Sequence, residues 1–334
     1  MSSSIRCRVS IAALAVLCVI TAHARAEPGK AGPDKATSNM FRDCKTCPEL
    51  VRITPGSFVM GSAEPETTAA RMRADRAAAE RPALPVTIGY SFAIGRREVT
   101  IAEFGEFTKA TGFKAAGCWA LNGKSWKLDP AAAWDKPGTA VTPRHPAVCL
   151  SPDDFQPYLD WLSKQTGQRY RFPSEAEWEY VARSGMREVK VWTNVDAKAC
   201  GQFNAADAQF HKTFDKDWPG FSCDDGYAVT APTGRYAANT LGMFDTLGNA
   251  AEFVADCYAP SHAGAPTDGR PRLEAQPCKA RVAKGGSWAA EPGFLRPATR
   301  VLVTSDVRGS GFGMRVLREL PQGSAARSAN ISSR

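Results

Sequence analysis

PSEAEWEYVARSG, residues 173–185, reads as one helix with both ends marked. Ser174 followed three residues later by Glu177 is a capping box, in which each side chain satisfies the other's free backbone amide. Gly185 supplies the stop. Two further segments carry similar punctuation. TIAEFGEFTKATG (100–112) pairs Thr100 with Glu103, ends before Gly112, and sets Phe104 and Phe107 on one face. SPDDFQPYLDWLSKQTG (151–167) starts at Ser151 and places Phe155, Tyr158, Leu159 and Leu162 on one stripe. Pro157 falls in its first turns, where a missing amide costs least.

Toward the N-terminus, VRI (51–53) and SFVM (57–60) suggest short strands about a Pro55-Gly56 turn, and PVTIGYSFAIGRREV (85–99) carries strand signals. SAEPETTAARMRADRAAAE (62–80) is rich in alanine and charge and reads as an exposed loop or helix. Beyond Gly185 the pattern turns irregular, with Gly, Asp, Asn and Pro every few residues. Such a region needs support beyond a core, for which disulfides and metal ions are the usual means. Residues 27–40 read as a flexible lead-in, 41–319 as one domain and 320–334 as a disordered tail.

The chain has 334 residues, enough for a sizeable core, and its 43% apolar and 23% charged content is that of an ordinary globular protein. Residues 1–26 carry Arg6 and Arg8, an apolar run from Ile11 to Ile20, and Ala24-Arg25-Ala26. This is the pattern of a cleavable secretory signal, and the run is too short to span a bilayer comfortably. The expectation is export, to the periplasm if the source is Gram-negative, with no transmembrane span after cleavage. Removing Arg6, Arg8 and Arg25 takes the net charge from +8 to +5. The remaining basic residues are scattered, which argues against nucleic-acid binding. Ten cysteines become eight, and an even count in an exported chain reads as disulfides. Spacing alone fixes no pairing; joining neighbours gives Cys44–Cys47, Cys118–Cys149, Cys200–Cys223 and Cys257–Cys278. Cys44-x-x-Cys47 precedes Pro48 and a strand-like run rather than a helix, which favours a structural bridge over a redox pair.

Together GSFVMGS, IGRREVTIAEFGEF, HPAVCLS, PSEAEWEYVARSG, LGNAAEF, KGGSW and GMRVLR resemble, in order, the formylglycine-generating enzyme (sulfatase-modifying factor) family. The resemblance spans roughly residues 41–319. It implies an α+β fold, a variant of the C-type-lectin-like fold that is low in regular structure and supported by disulfides and calcium. The same fold family includes a domain of ergothioneine-pathway sulfoxide synthases and a periplasmic pyoverdine-maturation protein. The iron of the former is held by histidines of a separate domain; here only His145, His211 and His262 remain after signal cleavage, without the HxxxH spacing.

The resemblance also implies two structural calcium sites. One uses Leu247, Gly248, Asn249, Ala250 and Glu252; the other uses Asn204 and Ala205 with Asp225 and Tyr227. Both sets offer only oxygen, as a hard cation requires. The competing reading has the asparagines forming turns and Glu252 capping a backbone group.

In active members two cysteines stand three and eight residues after the Gly-Gly-Ser serine, where they bind copper and oxidise a substrate cysteine. Counted from Ser287 these positions are Ala290 and Leu295, neither of which can be a thiolate or ligand. Two other departures are Phe253, where the family has Trp, and Met314, where it has Phe. Copper is therefore not expected.

Ser287, Glu291, Arg296 and Arg300 remain as groove candidates, with the alternative that the arginines bridge loop carbonyls. Trp119, Trp126, Trp134 and Trp288 either line a groove or pack in the core. The expectation is an exported family member that binds a peptide or small molecule in that groove, or carries a divergent oxidase activity. The alternatives are an active formylglycine-generating oxidoreductase acting on a sulfatase cysteine, and a structural envelope module.

Overall fold

The computed structural model describes residues 39–115, 117–185, 190–214, 217, 219–273 and 277–322. The signal segment 1–26, residues 27–38 of the lead-in and the tail beyond Gln322 lie outside the described residues. Along the chain, β1 (Met40–Phe41), β2 (Leu50–Ile53) and β3 (Gly56–Met60) lead into two short helices, α1 (Glu64–Ala69) and α2 (Ala74–Ala79). Then come β4 (Leu84–Ile88), β5 (Phe92–Gly95), α3 (Ile101–Thr111), β6 (Cys118–Asn122), β7 (Ser125–Asp129) and α4 (Pro152–Thr166). β8 (Tyr170–Arg171), α5 (Glu175–Arg183) and α6 (Ala208–Phe214) follow. The last elements are β9 (Ala251–Cys257), β10 (Ala280–Lys284), β11 (Arg300–Thr304), β12 (Phe312–Gly313) and β13 (Leu317–Glu319).

The fold is mixed α/β, with a five-stranded sheet in the order β1-β2-β5-β13-β8 and a four-stranded sheet in the order β11-β10-β9-β12. β3 with β4 and β6 with β7 form separate hairpins. β13 brings the end of the domain back between β5 and β8, with Leu317 opposite both Ile94 and Arg171. The ordered domain is wider than its sequence boundaries. Met40 already pairs with Val51, Leu320 is buried, and the Gln322 side chain donates to the Ser91 carbonyl. The lead-in and tail therefore give up these residues to the domain, because sheet pairing and burial satisfy them.

All three marked helices carry full capping boxes, Thr100 with Glu103, Ser151 with Asp154 and Ser174 with Glu177. α3 and α4 end on Gly112 and Gly167 in the left-handed region, whereas α5 turns one residue early, at Ser184 (φ 43°). Pro157 lies inside α4 on its exposed side. Segment 62–80 is helical in two pieces, and Thr67, Ala77 and Ala79 are buried rather than exposed. Phe104, Phe107, Phe155, Tyr158 and Leu162 of α3 and α4 join Phe253 of β9 and Val316 in one core.

From Ser184 to β9 the described chain holds only α6 and one short 3-10 turn (Ala199–Gly201). Disulfides join Cys44–Cys47, Cys118–Cys149, Cys200–Cys223 and Cys257–Cys278, each cysteine with its neighbour in the chain. Three of them close loops of 21 to 31 residues in the helix-poor parts, restricting the unfolded chain.

The Ser174 hydroxyl accepts from the Glu177 amide and donates to the Gly269 carbonyl. Ser174→Ala is expected to lower stability by about 1–2 kcal/mol, read as the midpoint of urea unfolding. An unshifted midpoint would mean that this cap does not anchor α5.

Candidate functional site

Segment 284–300 begins where β10 ends. Gly285 and Gly286 both take positive φ (88° and 74°) to turn the chain. A Cβ on Gly285 would lie 2.9 Å from the Thr246 carbonyl oxygen, and one on Gly286 3.1 Å from Ala290 Cβ and 3.2 Å from Leu295 Cδ2. Leu295 is fully buried and packs with Ala199, Phe203, Ala205 and Phe221, with Ala290 beside them. The Trp288 amide donates to the Asn249 carbonyl (2.9 Å) and its indole Nε1 to the Ser310 carbonyl (2.9 Å).

The four groove candidates do not share a groove. Arg296 is buried and bridges Glu80 (2.7 Å), Glu66 (2.7 Å), Ser62 and the Gly293 carbonyl. Arg300 is buried as well. Its Nε donates to Glu175 (2.7 Å), and its Nη1 to the carbonyls of Ala79 and Ala259. Lys284 completes this interior network through Glu175 (3.2 Å) and Glu179 (3.0 Å). Burial pushes the Glu175 carboxyl up, but Arg300 and Lys284 outweigh it and hold it well below the usual carboxylate range. The arginines are thus structural. Ser287 is half-buried beside Gly311, and Glu291 faces a different cleft from the one at Trp288.

The cleft at Trp288 has a volume of about 560 Å³. Leu121, Phe214 and Trp288, all buried, form its apolar floor, while the exposed Asn122 and Lys127 give it a polar rim. The Trp126 ring centre lies 5.7 Å from that of Trp288. The β6–β7 hairpin forms one side. Cys118 anchors its start, and Trp119 exchanges backbone bonds with Arg308 and Ser310. Trp119, Trp126 and Leu128 on this hairpin are exposed. Trp134 instead packs in the core, 5.2 Å from Phe104. Sequence reasoning missed the hairpin, although Asn122-Gly123 is a strong signal for a tight turn between two strands.

The two implied calcium sets differ in how they fit a cation. Asn204 is fully buried and its Oδ1 has no hydrogen-bond partner among the described residues. Asp225 falls in a cluster with Asp207 and Asp224, whose oxygens lie within 4.8 Å of one another. Burial, aided by Asp207, pushes the Asp225 carboxyl up to about 7. An orphaned oxygen and crowded carboxylates are what a hard cation relieves, so the donor types of the Asn204, Ala205, Asp225 and Tyr227 set suit one, with Asp225 also accepting from the Tyr227 amide and the Tyr236 hydroxyl. Asp207 was not legible as part of it, because it lies 18 residues before Asp225.

The other set does not fit. Both oxygens of Glu252 accept from Arg315, and one also accepts from the Trp178 indole. Arg315 thereby supplies the charge that a cation would supply. The Asn249 side-chain oxygen accepts from the backbone amide of Ala231 (2.8 Å) and the side-chain amide of Asn204 (3.2 Å). Leu247, Gly248, Asn249, Ala250 and Glu252 therefore form a turn and an ion pair rather than a cation cage. The Gly248 amide donates to the Gly285 carbonyl, tying this turn to the glycine turn.

The family described as sulfatase-modifying factor enzyme 1-like domain matches residues 36–320. A formylglycine-generating enzyme of Streptomyces coelicolor is 29% identical, covering 91% of this chain and 97% of its own length. An inactive C-alpha-formylglycine-generating enzyme 2 of Mus musculus is 26% identical, covering 80% and 85%. The solved structure of PvdO from Pseudomonas aeruginosa is 36% identical with a TM-score of 0.70, covering 84% of this chain and 98% of that one.

Arg300→Met is expected to destabilise the fold by about 3 kcal/mol at neutral pH, because Glu175 loses its nearest counter-charge. A depressed carboxyl contributes stability above its unfolded pKa and loses it as pH falls through the folded value. The gap between wild type and variant should therefore narrow in acid well below about pH 4. Urea unfolding at neutral and acid pH measures it; equal midpoints at neutral pH would return Arg300 to a ligand role.

Proposed function

The chain belongs to the sulfatase-modifying factor family, and on that premise we propose an exported member that binds a peptide or small molecule in the Trp288 cleft without copper–cysteine oxidation. One observation carries the reading. All eight cysteines among the described residues are joined in disulfides, so none of them offers a thiolate to copper or to a substrate. Positions 290 and 295, where the resemblance sets the oxidising pair, carry a methyl group and a buried isobutyl group. The named inactivity of the mouse relative makes loss of the chemistry on a retained scaffold a precedent.

The cleft supports binding on its own terms. Its volume is in the range of small-ligand sites, and an apolar floor under a polar rim suits a ligand with an apolar body and polar ends. Export is supported by the signal-like residues 1–26 and by the disulfides, which persist in oxidising compartments. No helix among the described residues is long and apolar enough to cross a membrane.

We also propose structural calcium at the set that fits. Asn204 and Asp225 would bind through side-chain oxygens, and Ala205 and Tyr227 through carbonyls. The ion would supply positive charge to the carboxylate cluster and tie the helix-poor region together; it would take no part in a reaction.

Two measurements test these readings. The purified mature protein, incubated with copper and a Cys-x-Pro-x-Arg peptide, is expected to leave the thiol unchanged in the mass spectrum. Conversion to the aldehyde above a protein-free control would overturn the first proposal. Chelator is expected to lower the melting temperature, with recovery on adding calcium. No change at any chelator concentration would remove calcium from the account.

A further inference from the structure

A second cleft, of about 640 Å³, opens between the connection from α1 to α2 and the turn Pro292–Phe294. Arg71, Arg73 and Arg76 stand on one side, Trp192 and Phe294 give flat apolar walls, and Glu291 lies among the lining. Among the described residues the charges do not cancel. Arg73 is matched by Asp75 (3.1 Å) and Lys190 by Asp196 (2.9 Å). Neither Arg71 nor Arg76 has an acidic partner among the described residues.

The walls are tied to each other. Buried Arg296 clamps Glu66 of α1 and Glu80 just past α2 to the Gly293 carbonyl. Gly293 lies so close to α1 that a Cβ there would be 2.5 Å from the Ala70 carbonyl oxygen. Arg71 turns the chain at φ 52°, its amide bonded to Thr68 and the next amide to Thr67. A buried ion triad is a costly way to stabilise a fold. Here it ties the two sides of the cleft, the α1–α2 segment and the Pro292–Phe294 turn, to each other.

We propose that this cleft binds a small aromatic carboxylate, its acid group on Arg71 and Arg76 and its ring against Trp192 and Phe294. A guanidinium presents planar paired donors that match a carboxylate, and Phe294, with the part of the Trp192 ring not taken by the Lys190 ammonium 3.7 Å from its centre, offers matching apolar area. Glu291, whose carboxyl is raised by burial, then meets the far end of the ligand as a hydrogen-bonding group. The site is separate from the Trp288 cleft and stands whether or not that cleft binds anything.

Calorimetry with naphthoate and its neutral counterpart naphthamide tests the proposal on the mature protein. Naphthoate is expected to bind about tenfold more tightly than naphthamide. The double variant Arg71→Gln/Arg76→Gln should weaken naphthoate by about tenfold or more at an unchanged melting temperature. If that variant melts early, Arg71→Gln alone, at an exposed position, gives the same reading. Trp126→Ala, beside the other cleft, should leave naphthoate binding as it was. Failure of naphthoate to bind, equal binding of the two probes, full affinity in the arginine variants, or loss in Trp126→Ala would each overturn it.

Discussion

Glu175, at the start of α5, accepts from Arg300 and Lys284 in an interior that water does not reach. A charge there must be matched, because an unpaired buried ion costs several kcal/mol. Meeting that demand draws distant pieces of the chain together. Lys284 ends β10, Arg300 begins β11, and the second nitrogen of Arg300 reaches the Ala79 carbonyl at the end of α2. Lys284 also meets Glu179, which Arg183 holds from the next turn of α5. A parallel link, Glu252 with Arg315, fastens β9 to the segment before β13. The helix-poor half is therefore arranged by charge as much as by apolar contact.

Local signals in the chain were legible where the physics is local. Capping boxes need residues three apart, so those at Thr100 and Ser174 could be read directly, and Ser151 was read as a helix start whose box partner is Asp154. The same holds for β2 and β3 on either side of Pro55. Roles that depend on distant partners were not legible. Arg296 bonds Glu80 across 216 residues, and nothing near Pro297 distinguishes a clamp from a ligand-facing arginine. The resemblance implied Glu252 as a cation ligand, and no local spacing encodes its pairing with Arg315 63 residues away. Asn204 was placed with Asp225, but Asp207 reaches the same cluster only through tertiary folding, which no local spacing encodes.

The candidate site was thereby divided. Residues adjacent in sequence, Ser287 to Arg300, spread to two clefts and the interior between them. The glycine turn causes the split. It sends Trp288 toward the β6–β7 hairpin, and the chain then doubles back past Glu291 to bury Leu295 and Arg296.

The snug contact of Gly286 with Ala290 and Leu295 has an evolutionary consequence. Suppose a copper-binding thiol pair belongs at 290 and 295. A cysteine at 290 alone would have no second sulfur to share a metal. A cysteine at 295 alone would exchange a buried leucine for a smaller group and open a void among Phe203, Ala205 and Phe221, at a cost of roughly 2 kcal/mol. Neither single step brings a benefit, and one carries a penalty. The apolar filling is self-maintaining: with Leu295 packed in place, a single change to cysteine costs stability and supplies no sulfur pair.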